Sequence, residues 1–153
     1  MPTKTKYCFL ILFLAATSVF AQARRTQSTA QEIEILLNSK TVTYAQAARF
    51  VLEAANVLAT DNGEEAFNYA VQKEWLPKNA AAGVPARLDN ISLLLMQSFK
   101  IKGGIMYSIT QSPHYAFREL AYLNVIQNRS DPSMSVSGEQ LLYYVNRILA
   151  EEN

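Results

Sequence analysis

The sequence has very few of the residues that usually carry catalysis or metal binding. Its single cysteine is Cys8, near the N-terminus, and its single histidine is His114. A histidine-based metal site or a Ser-His-Asp triad would rest on that one histidine, and zinc needs a group of ligands that the chain does not supply. We therefore expect no catalytic site, no metal, no cofactor and no enzymatic activity.

The chain also lacks a strong charge of either sign. It contains 14 Lys and Arg against 13 Asp and Glu, with no basic block and no acidic tail. Such a balance gives no electrostatic reason to propose a nucleic acid or an acidic membrane as the partner.

The N-terminus has the layout of a secretory signal peptide. Two lysines precede an apolar run over residues 7–20, and small residues follow at Ala21 and Ala23. This pattern predicts a signal peptide over residues 1–23, cleaved after Ala21 or Ala23, and export to the periplasm or the cell surface. The alternative is an uncleaved anchor. Because cleavage removes Cys8 and the apolar run, we expect no disulfide and no stable membrane span in the mature chain.

Beyond the signal peptide the pattern is helical throughout. Residues 24–41 are predicted to form a loose N-terminus and a short helix, and residues 42–153 one helical domain. No segment shows the alternation of apolar and polar residues that a half-buried strand requires. The predicted fold class is therefore all-α.

Three helices of this domain begin in the same way, 46 and 48 residues apart. Thr43 with Gln46 and Ser137 with Gln140 fit a capping box, and Asp89 is the predicted cap of the helix between them. Each cap follows an apolar residue, and paired apolar residues lie four and five positions after it. The predicted units start near residues 42, 88 and 136.

A second pattern has nearly the same period. The stretches AFNYAVQKEWL, residues 66–76, and AFRELAYLNVI, residues 116–126, align without a gap. Two registers therefore agree on a unit of nearly fifty residues, which favours an internal repeat. The alternative is chance, because any capped amphipathic helix has an apolar residue before a polar cap.

Local signals predict further helix boundaries. The first long helix is expected from Tyr44 to Leu58. The middle helix is expected to end at the glycines 103–104, which tolerate the left-handed conformation of a helix C-terminus. A short apolar segment, IMYSIT at residues 105–110, comes next. After it, Ser112 and Pro113 are expected to begin the helix that contains AFRELAYLNVI.

The unit resembles the S-layer homology module, a repeat of similar size built from a capped helix, a loop and a second helix. The resemblance implies three such repeats sharing one core in an exported envelope protein. In that family a Thr-Arg-Ala-Glu motif at the helix start binds cell-wall polysaccharide. The matching positions here, 43–46, 89–92 and 137–140, contain neither the arginine nor a glutamate at the fourth place.

A second resemblance is narrower. The segments WLPKNA, LLLMQSFKIKGGIMYSI and SPHYAFREL are similar to parts of small exported envelope proteins of spirochaetes. This resemblance agrees with a bacterial signal peptide and a periplasmic destination.

These observations favour a non-enzymatic, exported cell-envelope binding or structural module. The alternative is a helical periplasmic adaptor or assembly subunit, so the expected partner is a cell-wall polysaccharide or an envelope protein. Tyrosines and Trp75 can contact a sugar or line a core between the repeats, and Trp75 is expected in the core. Arginines can bind an anionic polymer or bond a helix C-terminus or a carboxylate. The residues proposed to contact a partner or glycan are Tyr44, Arg49, Arg87, Arg118, Tyr143 and Arg147.

Overall fold

The computed structural model describes residues 30–127 and 130–151. The predicted signal peptide lies outside these residues. Residues 30–37 are helical and are termed α1. Six further helices follow: α2 (Tyr44–Ala54), α3 (Gly63–Gln72), α4 (Leu88–Ser98), α5 (Ile105–Thr110), α6 (Pro113–Tyr122) and α7 (Gly138–Glu151). Over the described residues there is no β-strand, only two isolated bridges, so the all-α prediction is confirmed.

The chain divides into two compact units, Met1–Ile35 and Leu36–Asn153. In the first unit, residues 30–35 are helical. The second unit contains α2 to α7 and the core described below.

Three buried residues, one just before each of α2, α4 and α7, bond to one another in a closed ring. The Val42 N–H donates to the Val136 carbonyl (2.8 Å), the Val136 N–H to the Ala86 carbonyl (3.0 Å), and the Ala86 N–H to the Val42 carbonyl (2.8 Å). All three residues are fully buried. Because an unpaired buried backbone group costs about 1–3 kcal/mol, the ring removes a penalty at six polar groups.

The starts of the same three helices are bonded to loops from elsewhere in the chain. The first N–H groups of an α-helix have no partner within the helix. In α2 and α4 the first two donate to carbonyl oxygens of a later loop, and in α7 the first donates to the segment before α2. The bonds run from Tyr44 to Val84, Ala45 to Ala82, Leu88 to Met134, Asp89 to Pro132 and Gly138 to Ser39.

Two of the predicted caps are confirmed. The Thr43 hydroxyl accepts from the Gln46 N–H at 3.3 Å, and the Gln46 side chain accepts from the Thr43 N–H at 2.9 Å. Ser137 and Gln140 make the same pair of bonds, at 3.2 and 2.9 Å. Both helix starts are therefore stabilised by neighbouring residues in the sequence.

The predicted cap at Asp89 is wrong. α4 begins two residues earlier than that cap requires, with Arg87 in the N-cap position, and the Arg87 side chain caps no backbone N–H of the helix. The physical reason is that the N–H groups of Leu88 and Asp89 already donate to the loop carbonyls of Met134 and Pro132. The three helix starts are thus at Thr43, Arg87 and Ser137.

The two Ala-Phe stretches make the same backbone bonds at the same positions. The first stretch begins inside α3 and the second inside α6. The start of α6 is found as predicted, with Ser112 as the N-cap and Pro113 as the first helical residue. Each stretch ends with two N–H groups that donate to one carbonyl in the helix. The bonds run from Trp75 and Leu76 to Ala70, and from Val125 and Ile126 to Leu120.

Two predicted helix ends are wrong. α2 ends at Ala54 rather than at Leu58. α4 ends at Ser98, before the glycines 103–104, and neither glycine has a positive φ. The left-handed residue that ends α4 is Lys100, with φ 53°.

The core is centred on α4. Nine of its eleven residues are buried, which is the pattern of a helix covered on all sides. α4 packs mainly on α6, and α2 packs mainly on α3. The largest fully buried side chains are Leu36, Leu52, Leu88, Ile91, Leu94, Leu95, Met96, Leu120, Ile126, Leu141, Val42 and Val51.

Candidate functional site

Tyr44 and Arg87, two of the predicted contact residues, meet where α2 and α4 begin. The Tyr44 hydroxyl accepts from the Asn90 Nδ2 at 2.6 Å and from the Arg87 backbone N–H at 3.3 Å. Its ring is 3% exposed and lies 6.5 Å from the ring of Phe67. Tyr44 therefore joins two helix starts inside the protein and has little surface left for a ligand.

The Arg87 side chain is bonded to a carboxylate of its own helix. Its Nε and Nη2 donate to the two oxygens of Asp89 at 3.2 and 2.8 Å. The hydrogen bond to Asp89 raises the pKa of the Arg87 guanidinium. Close by, two hydrogen bonds from Ser133 lower the pKa of Asp131. An anionic ligand at Arg87 would compete with Asp89 for the guanidinium.

The remaining predicted contact residues are dispersed over other helices. The Arg49 Nε donates to the Thr60 carbonyl at 3.1 Å, and the Arg147 Nη2 donates to the Asn124 carbonyl at 3.5 Å. Arg118 is exposed on α6. These arginines therefore form no common site with Tyr44 and Arg87. Arg49 and Arg147 each donate to a carbonyl in the segment that follows the C-terminal end of a helix.

Tyr143, the last predicted contact residue, is exposed on α7 and lines a hollow of about 330 Å³. Its ring lies 6.0 Å from that of Tyr144. Burial, with a smaller effect of Tyr143, raises the pKa of Tyr144. Tyr144 and Glu139 also line the hollow, so it offers two tyrosine rings and one carboxylate.

A larger cleft, of about 590 Å³, lies at the C-terminal ends of α2 and α4. Carbonyl groups at helix C-termini have no partner within the helix and carry the negative end of the helix dipole. Residues after the two helices already donate to the carbonyls of Leu52, Glu53, Met96 and Gln97, and each of these oxygens keeps a second lone pair. The acceptors at the two helix ends are therefore partly used within the chain. Its lining is Ala54, Ala55, Asn56, Val57, Tyr69, Trp75, Gln97, Ser98, Phe99, Lys100 and Leu149.

The aromatic wall of this cleft is its most distinctive chemical feature. Trp75, the only tryptophan, packs edge-on against Tyr69 with ring centroids 5.9 Å apart. The Lys73 Nζ lies 5.6 Å from the centroid of the Tyr69 ring. The sequence predicted Trp75 as a packing residue but not the cleft, because the cleft combines the ends of helices that are distant in the chain.

The described residues contain neither a cluster of metal ligands nor a helix able to cross a membrane. Among them there is no group of three or more His, Cys, Asp or Glu that could hold a metal ion. His114 is exposed, and its ring packs on Tyr115 at 5.2 Å. Nor does any helix in the described part of the chain combine the length and the apolar character needed to cross a bilayer.

Comparison of the chain with models of known protein families, with curated proteins and with solved structures finds no match.

Proposed function

We propose that this protein is a non-enzymatic, exported cell-envelope module with an S-layer-homology-like arrangement of three units, and that it binds a cell-wall glycan. The observation that carries the proposal is the closed ring of hydrogen bonds among Val42, Ala86 and Val136. Three equivalent positions bonded in a cycle are what three similar units around one axis would produce.

The corrected position of the second helix start agrees with this arrangement. With Arg87 in place of Asp89 as the second cap, the fourth residue of each start is an amide, at Gln46, Asn90 and Gln140. The apolar residue before each cap is also the residue that joins the ring. The three starts thus share the amide and the ring residue, although Ser92 replaces the second residue of the apolar pair at the second start.

The helix starts are poor candidates for the glycan contact. The family's Thr-Arg-Ala-Glu motif is absent, Arg87 is paired with Asp89, and Tyr44 is buried. We therefore assign the contact to the cleft beside Trp75.

The chemistry of the cleft suits a sugar. A sugar ring has a face of C–H groups that can lie on Trp75 and a rim of hydroxyls that can donate to the helix-end carbonyls. Asn56 and Gln97 supply amides that both donate and accept. Lys73 and Lys100 would repel an organic cation, which is the other ligand that aromatic side chains and helix C-termini attract.

Trp75 provides a direct test of the glycan contact. Because it is the only tryptophan, a sugar bound in the cleft should change its fluorescence emission. We expect a saturable change on titration with soluble peptidoglycan glycan strands, and about tenfold weaker binding in Tyr69→Ala, which corresponds to about 1.4 kcal/mol. Tyr122→Ala, at a residue 82% exposed on α6, is the matched control and should bind normally.

Two results would contradict the glycan proposal. One is an emission that stays constant together with no retention of the protein on purified cell-wall sacculi. The other is equal weakening by Tyr69→Ala and Tyr122→Ala.

Export is tested separately, by cell fractionation. We expect the protein in the periplasmic or surface fraction with residues 1–23 removed. Recovery of the intact chain from the cytosol would contradict this part of the proposal.

A further inference from the structure

α5 presents an apolar surface that nothing in the described structure covers. Ile105, Met106 and Ile109 are 78%, 50% and 74% exposed. The helix is fixed by Tyr107, which is 5% exposed and whose hydroxyl accepts from the Gln97 Nε2 at 3.1 Å. The sequence predicted only a short apolar segment here, because a six-residue helix with one inward side chain has no amphipathic period.

The charge around α5 differs from that of the whole chain. From Lys100 to Arg118 the sequence contains Lys102 and His114 but no Asp or Glu. Lys100, Lys102 and Arg118 are exposed. The nearly neutral composition of the protein therefore conceals a locally basic segment.

The chain itself keeps two of these cations beside the apolar residues. Lys102 and Lys100 are three and five residues before Ile105, so their α-carbons lie at most about 11 Å and about 18 Å from that of Ile105. A long lysine side chain can extend from either position and keep its ammonium in a polar layer while its neighbours are buried.

One carboxylate lies under the start of α5. A β-carbon built on Gly104 would be 2.9 Å from the Glu119 Oε1. Glu119 belongs to α6, on which α5 packs, and it is only partly exposed. The start of α5 is therefore flanked by two exposed lysines and one partly exposed carboxylate, which leaves an excess of positive charge.

We propose that α5 docks the protein onto an anionic lipid surface, with Ile105, Met106 and Ile109 inserted at the interface and Lys100 and Lys102 on the lipid headgroups. Exposed apolar side chains next to lysines are the composition of interfacial membrane anchors. This attachment adjoins the glycan contact at Lys100, which also lines the cleft at the ends of α2 and α4, while Ile105, Met106 and Ile109 lie outside that cleft.

The size of the surface and its charge disfavour a second copy of the chain as the occupant. Three side chains cover on the order of a few hundred Å², whereas a stable protein interface buries about 800 Å² on each partner. A symmetric dimer would also bring the two basic segments together. An anionic bilayer needs no matching shape and attracts the lysines.

A fluorescent probe placed in α5 tests the proposal in the full chain, because the probe reports on α5 whether or not residues 1–23 are removed. The probe is Met106→Trp in a Trp75→Phe background, which leaves one tryptophan, at α5. We expect its emission to shift to shorter wavelength and to be quenched by brominated lipid with vesicles of phosphatidylcholine and phosphatidylglycerol. The effect should be much weaker with phosphatidylcholine alone and should fall with added salt. Val84→Trp in the same background is the matched control, because Val84 is a 42% exposed apolar residue outside α5.

Further variants in the probe background separate the charges from the apolar contact. Lys100→Gln with Lys102→Gln should weaken the affinity for anionic vesicles, measured by titrating the emission shift, about thirty-fold. Each lysine near an anionic surface contributes about 1 kcal/mol to that affinity. Ile105→Ser with Ile109→Ser should abolish it. Both pairs change exposed side chains, and an unchanged unfolding midpoint would show that the fold is intact.

The proposal is overturned by an α5 probe that does not respond to anionic vesicles, or that responds no more than the probe at residue 84. A shift that appears without lipid as the protein concentration rises, with a doubled mass in solution, would assign α5 to a second copy instead. A shift that requires an added envelope protein would assign it to a protein partner, and either outcome also overturns lipid docking.

Discussion

Gly138, the first residue of α7, occupies a position where no side chain fits. A β-carbon built on it would lie 1.6 Å from the carbonyl oxygen of Leu36. Because the obstacle is backbone, rotation of a side chain cannot relieve it. The Gly138 N–H also donates to the Ser39 carbonyl at 3.0 Å, so any movement that made room would strain that bond.

We predict that Gly138→Ala lowers the free energy of unfolding by about 3 kcal/mol, at the upper end of the usual cost of overpacking. Gly83→Ala is the control, because a β-carbon at Gly83 meets nothing within 4 Å, and it should change stability by less than about 0.5 kcal/mol. Urea unfolding of both variants measures the difference. Equal stabilities of the two variants would show that α7 does not pack against Leu36 in this way.

Four of the helices end on one backbone motif. After each helix, one residue is left-handed and the N–H groups of it and of the next residue donate back into the last turn, which is the Schellman motif. Glycine is the usual left-handed residue, yet none of these positions is glycine. They are Asn56 after α2, Glu74 after α3, Lys100 after α4 and Asn124 after α6.

We predict that Lys100→Gly stabilises the protein by about 1 kcal/mol. The left-handed conformation costs a non-glycine residue about 1–2 kcal/mol, and the extra freedom of glycine in the unfolded chain offsets about 0.5–1 kcal/mol of the gain. Asn56→Gly is the matched control and should gain less, because asparagine tolerates this conformation better. Thermal unfolding of the two variants compares them, and a destabilising Lys100→Gly would be evidence against the left-handed assignment.

At the scale of the whole molecule, the ring joins parts of the chain that are far apart in sequence. Val42 and Ala86 are separated by 44 residues, and Ala86 and Val136 by 50. None of the three bonds can form inside an isolated unit. The ring therefore makes the stability of each helix start depend on the other two.

We predict that the backbone amides of Val42, Ala86 and Val136 exchange with solvent only when the whole compact unit Leu36–Asn153 unfolds. Their exchange rates should agree within about tenfold and should respond to low concentrations of urea with the slope of global unfolding. Amide exchange followed by NMR makes the comparison. If one of them opened much faster than the other two, the ring would not be a cooperative element.

Two buried tyrosines make the fold sensitive to alkaline pH. Burial raises the pKa of Tyr107 and of Tyr144 above the ordinary value of 10.0. In the unfolded chain both phenols ionise first as pH rises, so alkaline pH favours unfolding. The stability they contribute is complete below about pH 10 and is lost as pH rises through their folded-state pKa values.

We predict that the free energy of unfolding decreases above about pH 10 and that Tyr107→Phe makes the decrease less steep. The informative quantity is the slope of the free energy of unfolding against pH above about pH 10, because Tyr107→Phe also loses the hydrogen bond to Gln97 and so lowers stability at neutral pH. Tyr122→Phe, at a residue 82% exposed, should leave the slope unchanged. Urea unfolding at several pH values measures all three proteins. An alkaline slope that Tyr107→Phe leaves as steep as in the unmodified chain would contradict the prediction.

Helix boundaries could be predicted from sequence where the determining atoms are close in the chain. The Thr43–Gln46 box and the Ser112–Pro113 start are of this kind, since side chains within three residues satisfy the orphan N–H groups or proline removes one. Asp89 had the same local chemistry but is not the cap. Its backbone partner is a carbonyl more than forty residues away, and sequence inspection cannot weigh that bond against a local one.

The candidate sites divide in the same way. The sequence identified Trp75 and the tyrosines as large amphipathic side chains, but it could not predict that two helix ends form a cleft around Trp75. It indicated four arginines as possible partner or glycan contacts, and the structure shows three of them bonded to carbonyls or to a carboxylate. Whether an arginine side chain is available to bind a ligand depends on these tertiary partners, and the local sequence does not indicate them.

The sequence by itself determined the helical class, both predicted capping boxes and the matching Ala-Phe stretches, because each depends on apolar periodicity or on bonds between near neighbours. Only the tertiary structure decided the second helix start, the left-handed end at Lys100, the cleft beside Trp75 and the exposed face of α5. These features depend on which buried backbone groups find distant partners and on which apolar side chains find none.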